Sequence, residues 1–274
     1  MNPRPLARGL SAWRSRRLPA RSRRVEMRWL LAALLGLTVA IVACTGEETR
    51  PTPMIFEQAP WRGPERFLYD LSQRSNVYGS CTLTTTPGVE PGKTKLERRC
   101  ADTSGRYEDN GSALVDAETL LPFASSRSIV DTEKDSATNF SATYEGEDVR
   151  FVAERGGTKR NEATRSLPTP TAGNPEPGYY DDESLLWLVR GLPLDLDYQQ
   201  WYKHVHAANG RVYTVELRVT DKKIITVPAG QFTTWEVRVR SSSITNWAWV
   251  EVDAPYRVIR ARFEEINYEL KSSE

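Results

Sequence analysis

The chain of 274 residues contains only two histidines, His204 and His206, in "WYKHVHAANG". In a strand this spacing puts both rings on one face. Such a pair can begin a metal site if a carboxylate supplies a third ligand. The run Asp181-Asp182-Glu183 offers carboxylates for Ca²⁺, but it directly precedes an apolar helical pattern, where acids cap the first turn. No G-x-S-x-G elbow occurs, so a nucleophile with its base is not legible. These residues define no catalytic constellation, and a non-enzymatic protein without metal or cofactor is the expectation. Cys81 and Cys100 flank "TLTTTPGVEPGKTKLERR", which reads as strand, turn, strand. With the loop centred on Val89–Pro91, the two cysteines face each other across a hairpin. In an oxidising compartment they form a disulfide, which contributes about 2–4 kcal/mol.

The segment that would carry the chain to such a compartment is at the start. Trp29 to Ala43 is an uncharged apolar run, too short for a membrane span of about 20 residues. It ends in "IVAC", and small residues directly before Cys44 resemble the bacterial lipobox. That resemblance implies a diacylglyceryl thioether on Cys44, cleavage of residues 1–43, and a membrane anchor in the cell envelope, outside the cytoplasm. The alternative is a short transmembrane helix ending in a buried cysteine. Nine arginines precede the run, and Met27 is a second candidate start. Without residues 1–43 the chain keeps 28 basic and 35 acidic residues, a net of −7. A modestly acidic domain is a poor nucleic-acid binder.

The elements that would position the candidate residues are mostly strands. Residues 44–64 mix acids, Pro and Gly and read as an extended tether, although Met54-Ile55-Phe56 could dock. From residue 65 to 274 the alternation has period two. Tyr213, Val215, Leu217 and Val219 share one face, as do Trp235, Val237 and Val239, with Arg and Glu opposite. Half-buried strands of this kind make antiparallel sheet. Pro228-Ala229-Gly230 reads as a hairpin corner, with Pro fixing φ and Gly free to take a positive one. About a dozen strands follow from the count. One helix interrupts, near 181–192, with Leu185, Leu188, Val189 and Leu192 at helical spacing and Pro193 as its stop. The expected fold is mainly β: a large curved antiparallel sheet or open half-barrel, with one short helix plugging its concave face.

The stretches "VPAGQFTTWEVRV", "WAWVEVDAPYRVIRARF", "YEL", "DAETLLPFASSR" and "DDESLLWLVRGLPL" resemble a family of exported bacterial proteins of unknown function. At the level of fold that family is similar to the open half-barrels of lipoprotein carriers. The similarity implies an acyl-binding space between curved sheet and helix. Leu185, Trp187 and Leu188 on the helix, with Trp235, Trp247 and Trp249 on strands, are then the candidate ligand-binding residues. The expected function is a lipid-anchored binding protein for a hydrophobic or amphiphilic molecule or an envelope partner. A structural or interaction module with a solid core is the alternative, and a hydrolase ranks last.

Overall fold

In the computed structural model the described residues are 51–274, except Ser75, Ser242, Ser243 and Glu264. Residues 1–43 and Cys44 lie outside them. The described residues belong to one compact unit with its own core, so this part folds by itself.

Eight strands come first: β1 (Glu65–Gln73), β2 (Asn76–Glu90), β3 (Lys93–Asp102), β4 (Tyr107–Asp116), β5 (Pro122–Asp131), β6 (Ser136–Glu145), β7 (Asp148–Arg155) and β8 (Thr158–Ser166). A short strand β9 (Tyr179–Asp181) leads into the helical segment. There a 3₁₀ turn (Asp182–Ser184), the helix α1 (Leu185–Leu188) and a second 3₁₀ turn (Val189–Gly191) follow without a break. The rest is β10 (Gln199–His206), β11 (Arg211–Val227), β12 (Gly230–Arg240), β13 (Thr245–Glu251), β14 (Val258–Phe263) and β15 (Ile266–Ser273).

All fifteen strands form one sheet in the order β8-β7-β6-β5-β4-β3-β2-β1-β15-β14-β13-β12-β11-β10-β9. Two antiparallel meanders, β1–β8 and β10–β15, are joined by pairing of β1 with β15; only β9 runs parallel to its neighbour. The sheet is open, with β8 and β9 as its edges. One core joins inner-face residues of both halves, such as Leu83, Leu96 and Val115 with Leu217, Val237 and Val250. A sheet whose two halves share a core must curl back on itself. A second, smaller core packs Val205 and Ala207, from the end of β10 and the turn after it, onto Ala142, Val149 and Phe151 of β6 and β7.

Several expectations hold. The sheet is curved and antiparallel, and the short helical segment fills its inner side. Cys81 pairs directly with Cys100 across β2 and β3, and the two are joined by a disulfide. The corner at 228–230 is a two-residue loop, with Val227 opposite Gly230 and Gly230 at φ +133°. That backbone angle favours glycine.

Two details differ. The β2–β3 turn lies at Pro91-Gly92, not at its expected centre. An irregularity between Pro87 and Glu90 shifts the register there and restores the symmetry that pairs the cysteines. The tether is also shorter than expected. Thr52, Ile55, Phe56 and Trp61 are buried, and Ile55, Phe56 and Trp61 belong to the main core. The backbone amides of Ile55 and Phe56 both donate to the Tyr180 hydroxyl, and Glu57 donates to the carbonyl of Gly191. Pro and acidic residues suggested an open spacer, but this strap has three large apolar side chains to bury. Gly178 and Gly191 admit it closely: a Cβ on Gly191 would strike the Phe56 ring.

Candidate functional site

The two histidines and the acid run, distant in sequence, meet on the inner face. β9 runs beside β10, so the turn that follows β9 lies over His204 and His206. Asp182 receives both rings: Oδ1 is 3.0 Å from His204 Nε2, and Oδ2 is 3.6 Å from His206 Nε2. The other nitrogen of His204 lies 3.2 Å from the Tyr202 hydroxyl. Asp181 is the N-cap and accepts the Glu183 amide at 2.9 Å, as its position in the sequence suggests. Its second oxygen accepts from the hydroxyls of Ser125 at 2.6 Å and Tyr144 at 2.5 Å.

Glu183 points the other way, toward the first half of the sheet. Its carboxylate lies 3.0 Å from Arg98 Nη2 and 4.0 Å from Arg127 Nε. Both guanidiniums also bind Asp109, Arg98 at 3.2 Å and Arg127 at 2.7 Å. The space for Glu183 comes from Gly111 on β4, where any Cβ would fall on Oε2. The parity of the strands puts Arg98, Asp109 and Arg127 inside, on the same rows as Leu96, Cys100 and Ser125.

Burial and neighbouring charge set the protonation of this cluster. Desolvation raises the Glu183 pKa, and the Arg98 guanidinium only partly offsets it. Desolvation also raises Asp181, against the hydrogen bonds from Ser125 and Tyr144. Asp182 is half-buried, and against the desolvation this brings its hydrogen bond and charge attraction to His204 hold it below the usual carboxylate range. His206 is pushed down by burial. Fully ionised, the four carboxylates Asp109, Asp181, Asp182 and Glu183 exceed the two arginines by two charges. The raised Asp181 and Glu183 are the groups on which a proton relieves this surplus.

What this arrangement does chemically is pin the helical segment to the sheet. The hydroxyls of Ser125 and Ser184 donate to Asp181, not to a histidine, and the hydroxyl beside His204 Nδ1 is the buried phenol of Tyr202, so among the described residues no serine is paired with a histidine. Among the described residues no group of three His, Cys, Asp or Glu side chains is arranged to hold a metal ion. The metal alternative for the histidine pair finds one carboxylate partner, Asp182. The capping reading of the acid run accounts for Asp181 alone.

The other predicted residues separate into two groups. Leu185, Trp187 and Leu188 are buried in the main core, and Trp187 Nε1 donates to Thr85 Oγ1 at 2.8 Å. Trp235 is half-buried against the same core, with the Lys222 ammonium 5.0 Å above its ring. Trp247 and Trp249 share the opposite face, stacked with centroids 6.4 Å apart. Arg262 and Arg260 lie 5.9 and 6.0 Å over their rings, and Trp249 Nε1 donates to Glu236. The structure does not bring these six into one site. Three grooves of about 570, 690 and 560 Å³ hold none of these six and no residue of 181–192, although Arg98, Gly111 and Arg127 of the charge cluster line the first. Arg98, Asp109 and Arg127 were missed by sequence reasoning. Their signal was present: in "KLERRC", Arg98 shares its strand parity with Leu96 and Cys100.

Fold and cluster together define an open antiparallel sheet, plugged by its own helical segment and locked by buried charge. The family model of DUF3108, a protein of unknown function, matches residues 97–270, and the chain belongs to that family. No curated protein matches the chain. A solved structure similar to it is a beta-barrel-like protein of domain of unknown function DUF1849 from Brucella abortus. It is 10% identical with a TM-score of 0.49, and the match covers 82% of this chain and 99% of that one.

Proposed function

We propose that this chain is a lipid-anchored, extracytoplasmic interaction module without catalytic activity, which meets its partner with its outer surface. The observation that carries this reading is the filled interior. Trp187, Leu188 and Val189 are each at most 2% exposed, and the strap at 52–61 closes over the helical segment. An acyl ligand there would have to displace core side chains, each worth about 2–3 kcal/mol of burial. The outer face of β11–β14 offers a partner a half-buried Trp pair set among ion pairs such as Arg238–Glu216 and Lys223–Glu236. Aromatic and Arg side chains are favoured at such interfaces. The leader ending at Cys44 and the Cys81–Cys100 disulfide support export and anchoring.

Mass spectrometry of the protein extracted from membranes tests the reading. The expected spectrum shows a thioether-linked diacylglyceryl mass that Cys44→Ser removes, and no co-purifying lipid. An unmodified Cys44 would sink the anchor. A tightly held fatty ligand, retained after detergent exchange, would restore the internal cavity.

A further inference from the structure

The groove of about 560 Å³ lies where the two ends of the sheet approach each other, between β8 and the β10–β11 hairpin. Arg165, Lys203 and Arg211 line it, with Leu167 and Val212 from the smaller core as its apolar part. No carboxylate lines it. Glu147 and Asp148 stand near Leu167 and Ser166 in the backbone pairing but are not in the wall. Arg165 donates to the carbonyl of Thr164 and Lys203 to Thr214 Oγ1. Among the described residues, the Arg211 side chain makes no hydrogen bond or ion pair. A guanidinium has five donors and an ammonium three, so most of the donors here are unused. Many cations elsewhere are paired, as in Arg260–Glu269 and Arg257–Glu251, and the groove that holds the unpaired Arg155 and Arg160 also holds Glu154, so this groove differs in gathering three cations with no acid in its wall. Three unpaired cations sharing one groove, in a chain that is net acidic beyond residue 43, are a site for an anion.

We propose that this groove binds the phosphate of an anionic phospholipid headgroup. Guanidinium and ammonium groups suit phosphate oxygens, and the backbone fixes which source is near. Lys203 N donates to the carbonyl of Gly178, and Gly178 N donates to that of Thr52. Three segments so paired are about 5 Å apart each, which puts Lys203 about 10 Å from where the chain joins the fold. Cys44 precedes Pro51 by seven residues, a reach of at most about 25 Å. The choice of a lipid source rests on the anchored reading given above: a chain tethered at Cys44 holds this groove on the part of the domain nearest the bilayer.

The test uses residues 51–274, which lack Cys44, and sedimentation with vesicles at about 0.1 M salt. One vesicle set contains phosphatidylglycerol and the other phosphatidylcholine alone. Binding to the first and not the second is expected. Arg165→Gln with Arg211→Gln should weaken it about 25-fold, at about fivefold per cation near an anionic surface. Arg66→Gln with Lys271→Gln, which removes the same charge from β1 and β15, should change it less than twofold. Equal losses in the two double variants, or no preference for anionic vesicles, would overturn the site. Displacement from vesicles by millimolar glycerol phosphate would overturn the lipid assignment in favour of a soluble phosphate ester. Because this domain has no anchor, failure here leaves the thioether on Cys44 to be judged by its own mass.

Discussion

Replacing Glu183 by Gln asks whether the interior cluster keeps a proton that the unfolded chain would release. Burial is the largest influence and lifts the Glu183 pKa from 4.5 to about 7; Arg98 and Arg127 oppose the rise, while Asp182 and Asp181 add to it. Between those two values the folded state binds the proton and the unfolded state does not, so stability falls as pH rises. The contribution is fully present below pH 4.5 and lost above about 7. At 1.36 kcal/mol per tenfold, the loss across that window is about 3 kcal/mol. A glutamine cannot ionise, and its carbonyl still accepts from Arg98, so the variant lacks this slope. Urea denaturation followed by Trp fluorescence, from pH 4.5 to 8, gives both curves. The variant should gain about 3 kcal/mol on the wild type across the window, or roughly 6–12 °C in Tm for a domain of this size. Titrations of groups that do not interact with Glu183 cancel in the difference. His206, depressed by burial, costs stability as pH falls through 6.5, and Asp182, held low by His204, does so below 3.8. Parallel curves would refute the reasoning, because Glu183 would then carry the same charge folded and unfolded. A variant weaker than wild type at pH 7.5 would refute it too, since the Arg98 ion pair would outweigh desolvation.

Replacing Cys81 and Cys100 together by Ser opens a loop of about 20 residues and should cost about 3 kcal/mol, read as a drop in urea midpoint that a reducing agent reproduces in the wild type. Gly191→Ala would drive a Cβ into the Phe56 ring and the carbonyl of Gln58, 2.7 Å away. The strap should lift at a cost of about 1–3 kcal/mol, seen as faster proteolysis within residues 52–61; unchanged cleavage would mean that the strap does not depend on this contact.

The sheet was legible because period two survives in its long inner strands, β2, β4 and β11 among them. Tyr213, Val215, Leu217 and Val219 fall on one face in the sequence and all turn inward in the structure. The disulfide was legible because a hairpin is local: an approximate loop centre places the cysteines nearly opposite, and the irregularity between Pro87 and Glu90 brings them into register. The ionic cluster was not, because its members come from β3, β4, β5, β10 and the turn after β9. Arg98 and Glu183 stand 85 residues apart, and no local rule pairs them. The strap escaped for a related reason. Pro-rich composition reports that a segment is extended, while only the sheet decides whether extended chain is solvated or packed.

An open sheet cannot bury its inner face unless something fills it, and an apolar helix of one turn could settle there in many ways. Hydrophobic contact alone discriminates poorly among such seatings. The ion pairs do discriminate. Sliding the segment by one residue would carry Glu183 from Arg98 and Asp182 from His204, leaving several buried charges unpaired. Breaking a single buried pair costs about 3–5 kcal/mol, so each wrong seating is penalised more heavily than the native one is favoured. Arg190 acts the same way at the other end, where its guanidinium donates to Glu65 at 2.9 Å and to the carbonyls of Pro255 and Tyr256. The buried charges thus fix the register of the plug, a role that solvation costs forbid them to play through net stability. On this argument, Arg98→Met should cost about 3–5 kcal/mol at neutral pH, and much of that loss should return in Arg98→Met/Glu183→Leu, where no charge is left without its partner.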